Sequence, residues 1–112
     1  MRGKDYYKLH SVICKTLANP KRLEIMNCLR EGELTVSQLV EKTGISQANL
    51  SQHLGMMRTS GILRSRREGI HIFYKLTTAK IVQAFDLISE VMRDTLSDQS
   101  RTLDESESEE NS

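Results

Sequence analysis

The sequence contains no apolar run near the roughly 18 residues that a membrane-spanning helix requires. Nor does an apolar stretch follow Met1-Arg2-Gly3-Lys4-Asp5, so a secretory signal is not expected and the chain should stay in the cytoplasm, with no membrane partner. Cysteine is scarce: Cys14 and Cys28 are the whole set. Two thiols make no disulfide framework, and in a reducing compartment they read as small core residues; a thiol-responsive switch using both is the alternative. No H-E-x-x-H, P-loop or G-x-G-x-x-G occurs, so an enzyme is not expected. Asn49-Leu50-Ser51 matches a glycosylation sequon, which has no meaning without secretion. There is no internal repeat.

What is present fits one domain: 112 residues, 38% hydrophobic and 28% charged. A chain this short buries a modest share of its surface, which makes a second copy a natural source of extra core. The net charge of +1 conceals a split. From Leu96 to Ser112 there are six acids against Arg101 alone, a charge of −5, which leaves +6 on residues 1–95. A basic body implies a polyanionic partner. Residues 97–112 hold almost no apolar surface and are expected to form a disordered acidic tail beside a folded domain of residues 1–96.

Apolar spacing divides the body into elements. Tyr6, Leu9, Ile13 and Leu17 recur at helical intervals, with Val12 widening the stripe. Asn19-Pro20 reads as an N-cap followed by a first-turn proline, opening a helix through Leu23, Ile25, Met26 and Leu29 that closes near Gly32. Thr35 and Gln38 have the spacing of a capping box, ahead of a short helix with Val36, Leu39 and Val40 inward and Gly44 at its end. Ser46 caps a fourth helix, running to about Thr59, that carries Leu50, Leu54 and Met57 on one side. The period then changes to two: Ile70, Ile72, Tyr74 and Leu76 alternate with His71, Phe73 and Lys75. With Ile62-Leu63-Arg64-Ser65-Arg66-Arg67 upstream and Glu68-Gly69 as the turn, this predicts a β-hairpin. A last helix carries Ile81, Ala84, Phe85, Ile88, Val91 and Met92, a face too wide for one domain to cover. The fold class expected is mainly α with a small β-hairpin, in the order α-α-α-α-β-β-α.

That order is the winged helix-turn-helix, and the local sequence sharpens it. Ser46-Gln47-Ala48-Asn49-Leu50-Ser51-Gln52-His53-Leu54, then Met57, Gly61-Ile62-Leu63, Arg66-Arg67-Glu68-Gly69 and Tyr74-Lys75-Leu76 resemble the ArsR/SmtB (arsenic-repressor-like) family, as does Leu17-Ala18-Asn19-Pro20-Lys21-Arg22-Leu23. The resemblance covers roughly residues 10–95. It implies a homodimer through the first and last helices, with Tyr6, Leu9, Ile13, Ile81, Phe85, Ile88 and Met92 as dimer residues. It also implies a repressor of transcription that binds double-stranded DNA, expected at an inverted repeat. A winged helix used for protein contact or nonspecific DNA coating is the competing reading.

Helical rotation agrees independently. With Leu50, Leu54 and Met57 in one sector, Ala48, Ser51, Gln52 and Gly55 fall opposite, flanked by Gln47, Asn49 and His53. Short residues allow close approach to a groove, and amides pair well with base edges. Backbone N–H groups after Ser46 suit phosphate. His53 is the weaker candidate, since a helix-packing histidine bonded internally is a competing role. Arg58, Arg64, Arg66, Arg67 and Lys75 oppose Glu68 alone and suit the phosphate backbone. Phe73 falls on the polar face of this register, and packing against another helix is the role open to it. The family's metal-sensing thiolates, in an E-L-C-V-C-(D/E)-L motif, are replaced here by Thr35 and Ser37 in Glu33-Leu34-Thr35-Val36-Ser37-Gln38-Leu39, and hydroxyls are poor ligands for thiophilic metals. The last helix offers Asp86, Glu90 and Asp94 but no histidine, and His10 and His71 lie far apart in sequence. No metal or cofactor is therefore expected, and the sequence identifies no effector.

Overall fold

The computed structural model describes residues 3–110, with side chains described for residues 3–99. The elements run α1 (Lys4–Leu17), α2 (Pro20–Cys28), a 3-10 turn (Leu29–Glu31), β1 (Leu34–Thr35), α3 (Val36–Thr43), α4 (Gln47–Thr59), β2 (Leu63–Glu68), β3 (His71–Leu76) and α5 (Lys80–Glu110). The chain divides into two compact units, 1–81 and 82–112.

In the first unit the helix boundaries follow from capping chemistry. The Asn19 side chain accepts hydrogen bonds from the Lys21 and Arg22 backbone N–H groups at 3.0 and 3.2 Å, and Pro20 occupies the first turn, where its missing N–H costs nothing. At α3 the capping box is complete: Thr35 Oγ1 accepts from the Gln38 backbone at 3.2 Å, and Gln38 Oε1 accepts from the Thr35 backbone at 2.9 Å. Gly44 ends α3 in the left-handed region, φ 72°, and its N–H reaches the Val40 carbonyl at 2.9 Å. The core is one apolar cluster of Ile25, Met26, Leu29, Leu39, Ile45, Leu50, Leu54, Met57, Ile62 and Leu63.

The sheet differs from the expected hairpin in two respects. It has three antiparallel strands in the order β1-β3-β2, with Leu34 opposite Tyr74 and Thr35 opposite Phe73. Two residues are too few to display a period, so β1 left no trace in the pattern. The hairpin turn is Gly69-Ile70, one residue later than expected, and Glu68 pairs with His71. A two-residue loop with a positive φ at its first position needs glycine there, and Gly69 has φ 61°. Ile70 is consequently a turn residue, 93% exposed, and not an inward strand residue.

In the second unit, α5 continues past Leu96 to Glu110, through most of the stretch expected to be disordered. Extending an existing helix requires no new nucleus, and glutamate is a good helix former, so a polar segment can continue a helix that an apolar one began.

Candidate nucleic-acid interface

Helix α4 separates its residues by environment as helical rotation requires. Leu50, Leu54 and Met57 are each 0% exposed, which fixes the roll of the helix. Gln47, Ala48, Asn49, Ser51, Gln52 and Gly55 are all exposed. Ser46 caps the helix, its hydroxyl accepting from the Asn49 N–H at 3.3 Å. Gly44 and Ile45, the latter buried, form the turn between α3 and α4, which is the helix-turn-helix pair.

His53 stands apart from this face. It is half-buried, and its Nδ1 accepts a hydrogen bond from Arg22 Nε at 3.2 Å. The same guanidinium reaches the Thr16 carbonyl at 3.4 Å and Met56 Sδ at 2.9 Å, so Arg22 ties α4 to the α1–α2 corner. An acceptor at Nδ1 puts the ring proton on Nε2. Partial burial, followed by the charges of Arg22 and Lys21, holds the imidazole pKa below its ordinary value. Of the two roles open to His53, this geometry supplies the internal one. Arg22 entered the sequence reading only as part of a motif, because nothing local reveals a partner 31 residues away.

The basic residues of the wing have different surroundings. Arg58, at the end of α4, donates to Ser65 Oγ on β2 at 3.4 Å. Arg64 and Lys75 are directly opposite each other across β2 and β3, both exposed. Like charges so placed repel. Arg67 lies opposite Ile72, on the other face of the ribbon, and is also exposed. Among the described residues the side chains of Arg64, Arg67 and Lys75 make no hydrogen bond or ion pair.

Arg66 is occupied. Its Nε and Nη2 donate to the two carboxylate oxygens of Glu33 at 2.9 and 2.5 Å, and Nη1 donates to Glu68 at 2.8 Å. The guanidinium also lies 4.3 Å from the centre of the Phe73 ring, a cation–π distance. Phe73 thus packs beneath Arg66 and beside His71. Glu33 had no assigned role in the sequence reading, since its partner is 33 residues distant. The hydrogen bonds and charge of Arg66 hold its carboxyl below the usual carboxylate range.

The thiols depart from expectation. Cys14 is exposed on α1, with Sγ 3.5 Å from His10 Nδ1, and is not a core residue. Its place on the solvent side of an amphipathic helix was not separable from the core stripe by spacing alone. Cys28 is half-buried, and burial first, then the charge of Glu24, raises its thiol pKa.

Two apolar surfaces are left open, one in each unit. On α1, Tyr6, Tyr7, Leu9, Val12 and Ile13 are exposed; on α5, Leu87, Ile88, Val91, Met92 and Leu96 are exposed. Ile81 and Phe85, named with them from sequence, are half-buried.

A helix-turn-helix followed by a β-ribbon wing defines the class of winged helix-turn-helix proteins. Residues 19–65 match the model of the family described as bacterial regulatory protein, arsR family. A biofilm growth-associated repressor of Xylella fastidiosa is 48% identical over 71 residues, 63% of this chain; the chain spans 62% of that protein's length. The transcriptional activator HlyU of Vibrio cholerae is 35% identical over 77 residues, 69% of this chain and 71% of its own. The solution structure of a homodimeric winged helix-turn-helix DNA-binding domain from Mycobacterium bovis superposes with a TM-score of 0.75, at 26% identity, over 85% of this chain and 91% of that one. The chain belongs to the ArsR family of bacterial regulatory proteins.

Proposed function

We propose that the protein is a transcriptional regulator, a repressor in its direction of action, that binds an inverted-repeat site on double-stranded DNA as a homodimer. The carrying observation is the exposed side of α4: a cap, three amides and small residues facing outward on a helix whose roll is set by a fully buried face. Gln47, Ala48, Asn49, Ser51 and Gln52 enter the major groove, with Gln52 the principal base reader, and Ser46 opens the helix toward phosphate. Arg58, Arg64, Arg67 and Lys75 take the flanking backbone. The repulsion between Arg64 and Lys75 is relieved when a phosphate sits near both.

The exposed apolar surfaces of α1 and α5 form the dimer contact, with the recognition helices of the two protomers about one DNA turn, roughly 34–36 Å, apart. The relatives include a repressor and an activator, and the repressor is the one of higher identity. Hydroxyls of Thr35 and Ser37 stand where the family's thiolate pair would be, and the Thr35 hydroxyl caps α3, which supports a regulator that does not sense thiophilic metals at this position.

Selection of bound sequences from random DNA tests this directly and should return an inverted repeat. Against the selected duplex, Gln52→Ala should cost roughly 1–3 kcal/mol, with little change for random DNA. Unchanged affinity for the selected duplex would remove Gln52, and with it this orientation of α4, from the interface. The direction of regulation is read by a reporter placed behind the selected site: lower expression with the protein present supports repression, and higher expression overturns it.

A further inference from the structure

We propose that Arg66 is a strut that fixes the pose of the wing, that Glu33 is its anchor, and that neither touches DNA. The proposal rests on the DNA-binding reading above and assigns different work to residues within it.

The first argument is charge. Arg66 with Glu33 and Glu68 sums to −1, so the most elaborately bonded basic residue of the wing is not a source of positive potential. A phosphate would have to displace a carboxylate already held at two oxygens. Isolated surface ion pairs contribute little, but bidentate guanidinium–carboxylate pairs are the strong, directional kind. Here one guanidinium makes such a pair, meets a second carboxylate and rests on an aromatic ring, so the side chain is ordered once for all three contacts.

The second argument is position. Strand β1 supports β3 only at Phe73 and Tyr74. From Arg67 to Ile72 the wing is a two-stranded ribbon, a marginal structure on its own. Arg66 is opposite Phe73, at the last point where three strands coexist, and Glu33 lies just before β1. The contact therefore joins the root of the ribbon to the body of the domain. Arg67, which lies beyond that root and whose side chain makes no hydrogen bond or ion pair among the described residues, depends on it for its direction.

The two roles for Arg66 make opposite predictions for Glu33. If Arg66 binds phosphate, removing the neighbouring carboxylate frees a cation and deletes a negative charge, and DNA binding should tighten. If Arg66 is a strut, binding should weaken although the protein has become more basic. Glu33→Gln and Glu33→Ala should weaken binding of the selected duplex by about threefold to tenfold through lost preorganisation. Arg66→Gln should do the same and leave the slope of log affinity against log salt unchanged. Without DNA, heteronuclear NOE values should fall at Arg67, Gly69, Ile70 and His71 in these variants and stay constant along α4. Tighter binding by Glu33→Gln, a slope reduced by about 0.9 in Arg66→Gln, or unchanged NOE values would each overturn the strut. Arg67→Ala separates this from the reading beneath it: that variant should lower the slope by about 0.9. No salt-dependent duplex binding by wild type overturns the regulator reading, while the NOE comparison still decides whether the strut exists.

Discussion

If the protein is the homodimer proposed above, truncating Ile88 to alanine should split it at concentrations where the wild-type protein is fully associated. Ile88 is 68% exposed on α5, in a row with Leu87, Val91 and Met92. Burying a whole isoleucine side chain contributes roughly 1.5–3 kcal/mol, so covering the exposed two-thirds contributes about 1–2 kcal/mol. A two-fold interface contains the residue twice, giving about 2–4 kcal/mol for the pair. At 1.4 kcal/mol per decade, Ile88→Ala should raise the dimer dissociation constant by roughly thirtyfold to a thousandfold. Ile88→Glu goes further, because two carboxylates would be taken from water with no partner. Sedimentation velocity over a concentration series reads both effects, and circular dichroism reports whether the separated protomer keeps its helices. A wild-type protein that sediments as a monomer at micromolar concentration refutes the reasoning. So does an Ile88→Glu variant that sediments as the wild type does.

Two further perturbations address α4. The His53 pKa is lowered on folding, so its neutral form stabilises the protein above the ordinary histidine range, near pH 6.5, and that contribution is lost as pH falls through the depressed value. His53→Asn offers Arg22 an acceptor that does not titrate, and melting temperatures between about pH 7.5 and about pH 5 should fall less steeply than in wild type; parallel curves would mean the Arg22 contact is not what couples His53 to stability. Gly55 sits within α4, where an added methyl would meet nothing within 4 Å. Gly55→Ala should stabilise the fold by about 0.5–1 kcal/mol yet weaken the selected duplex, and a variant that melts higher with unaltered DNA affinity would take Gly55 out of the groove.

The parts of the fold that could be read in advance are those whose causes are local. Asn19 bonds residues two and three positions on, and Thr35 and Gln38 bond each other, so the side chains that start α2 and α3 are legible as spacings. The same holds for Leu50, Leu54 and Met57, because one helix period decides which residues share a face. What escaped was set by distant partners or by single-residue geometry. Leu34 and Thr35 become a strand only because Tyr74 and Phe73 arrive opposite them. The turn moved to Gly69-Ile70 because the positive φ must fall on the first loop residue, and counting alternation alone had placed Ile70 inside the strand.

The candidate interface divides along the same line. Composition along the chain correctly locates a basic ribbon after a polar helix, yet counting charges treats Arg64, Arg66, Arg67 and Lys75 as equivalent. They are not, because the availability of a cation depends on which acids reach it. Glu33 is far away in sequence and beside Arg66 in space; Glu68 is two residues from Arg66 and, by the alternation of a strand, on the same face. Only the second pairing was open to inference from sequence, and it alone would have left the guanidinium half free. The first closes the fork and converts a presumed phosphate ligand into part of the scaffold. The charge left to meet DNA is then smaller than the sequence total and more sharply directed, carried on both faces of the ribbon by Arg64, Arg67 and Lys75. A salt slope for nonspecific binding that counts fewer phosphates than the basic residues of the wing is what this arrangement requires.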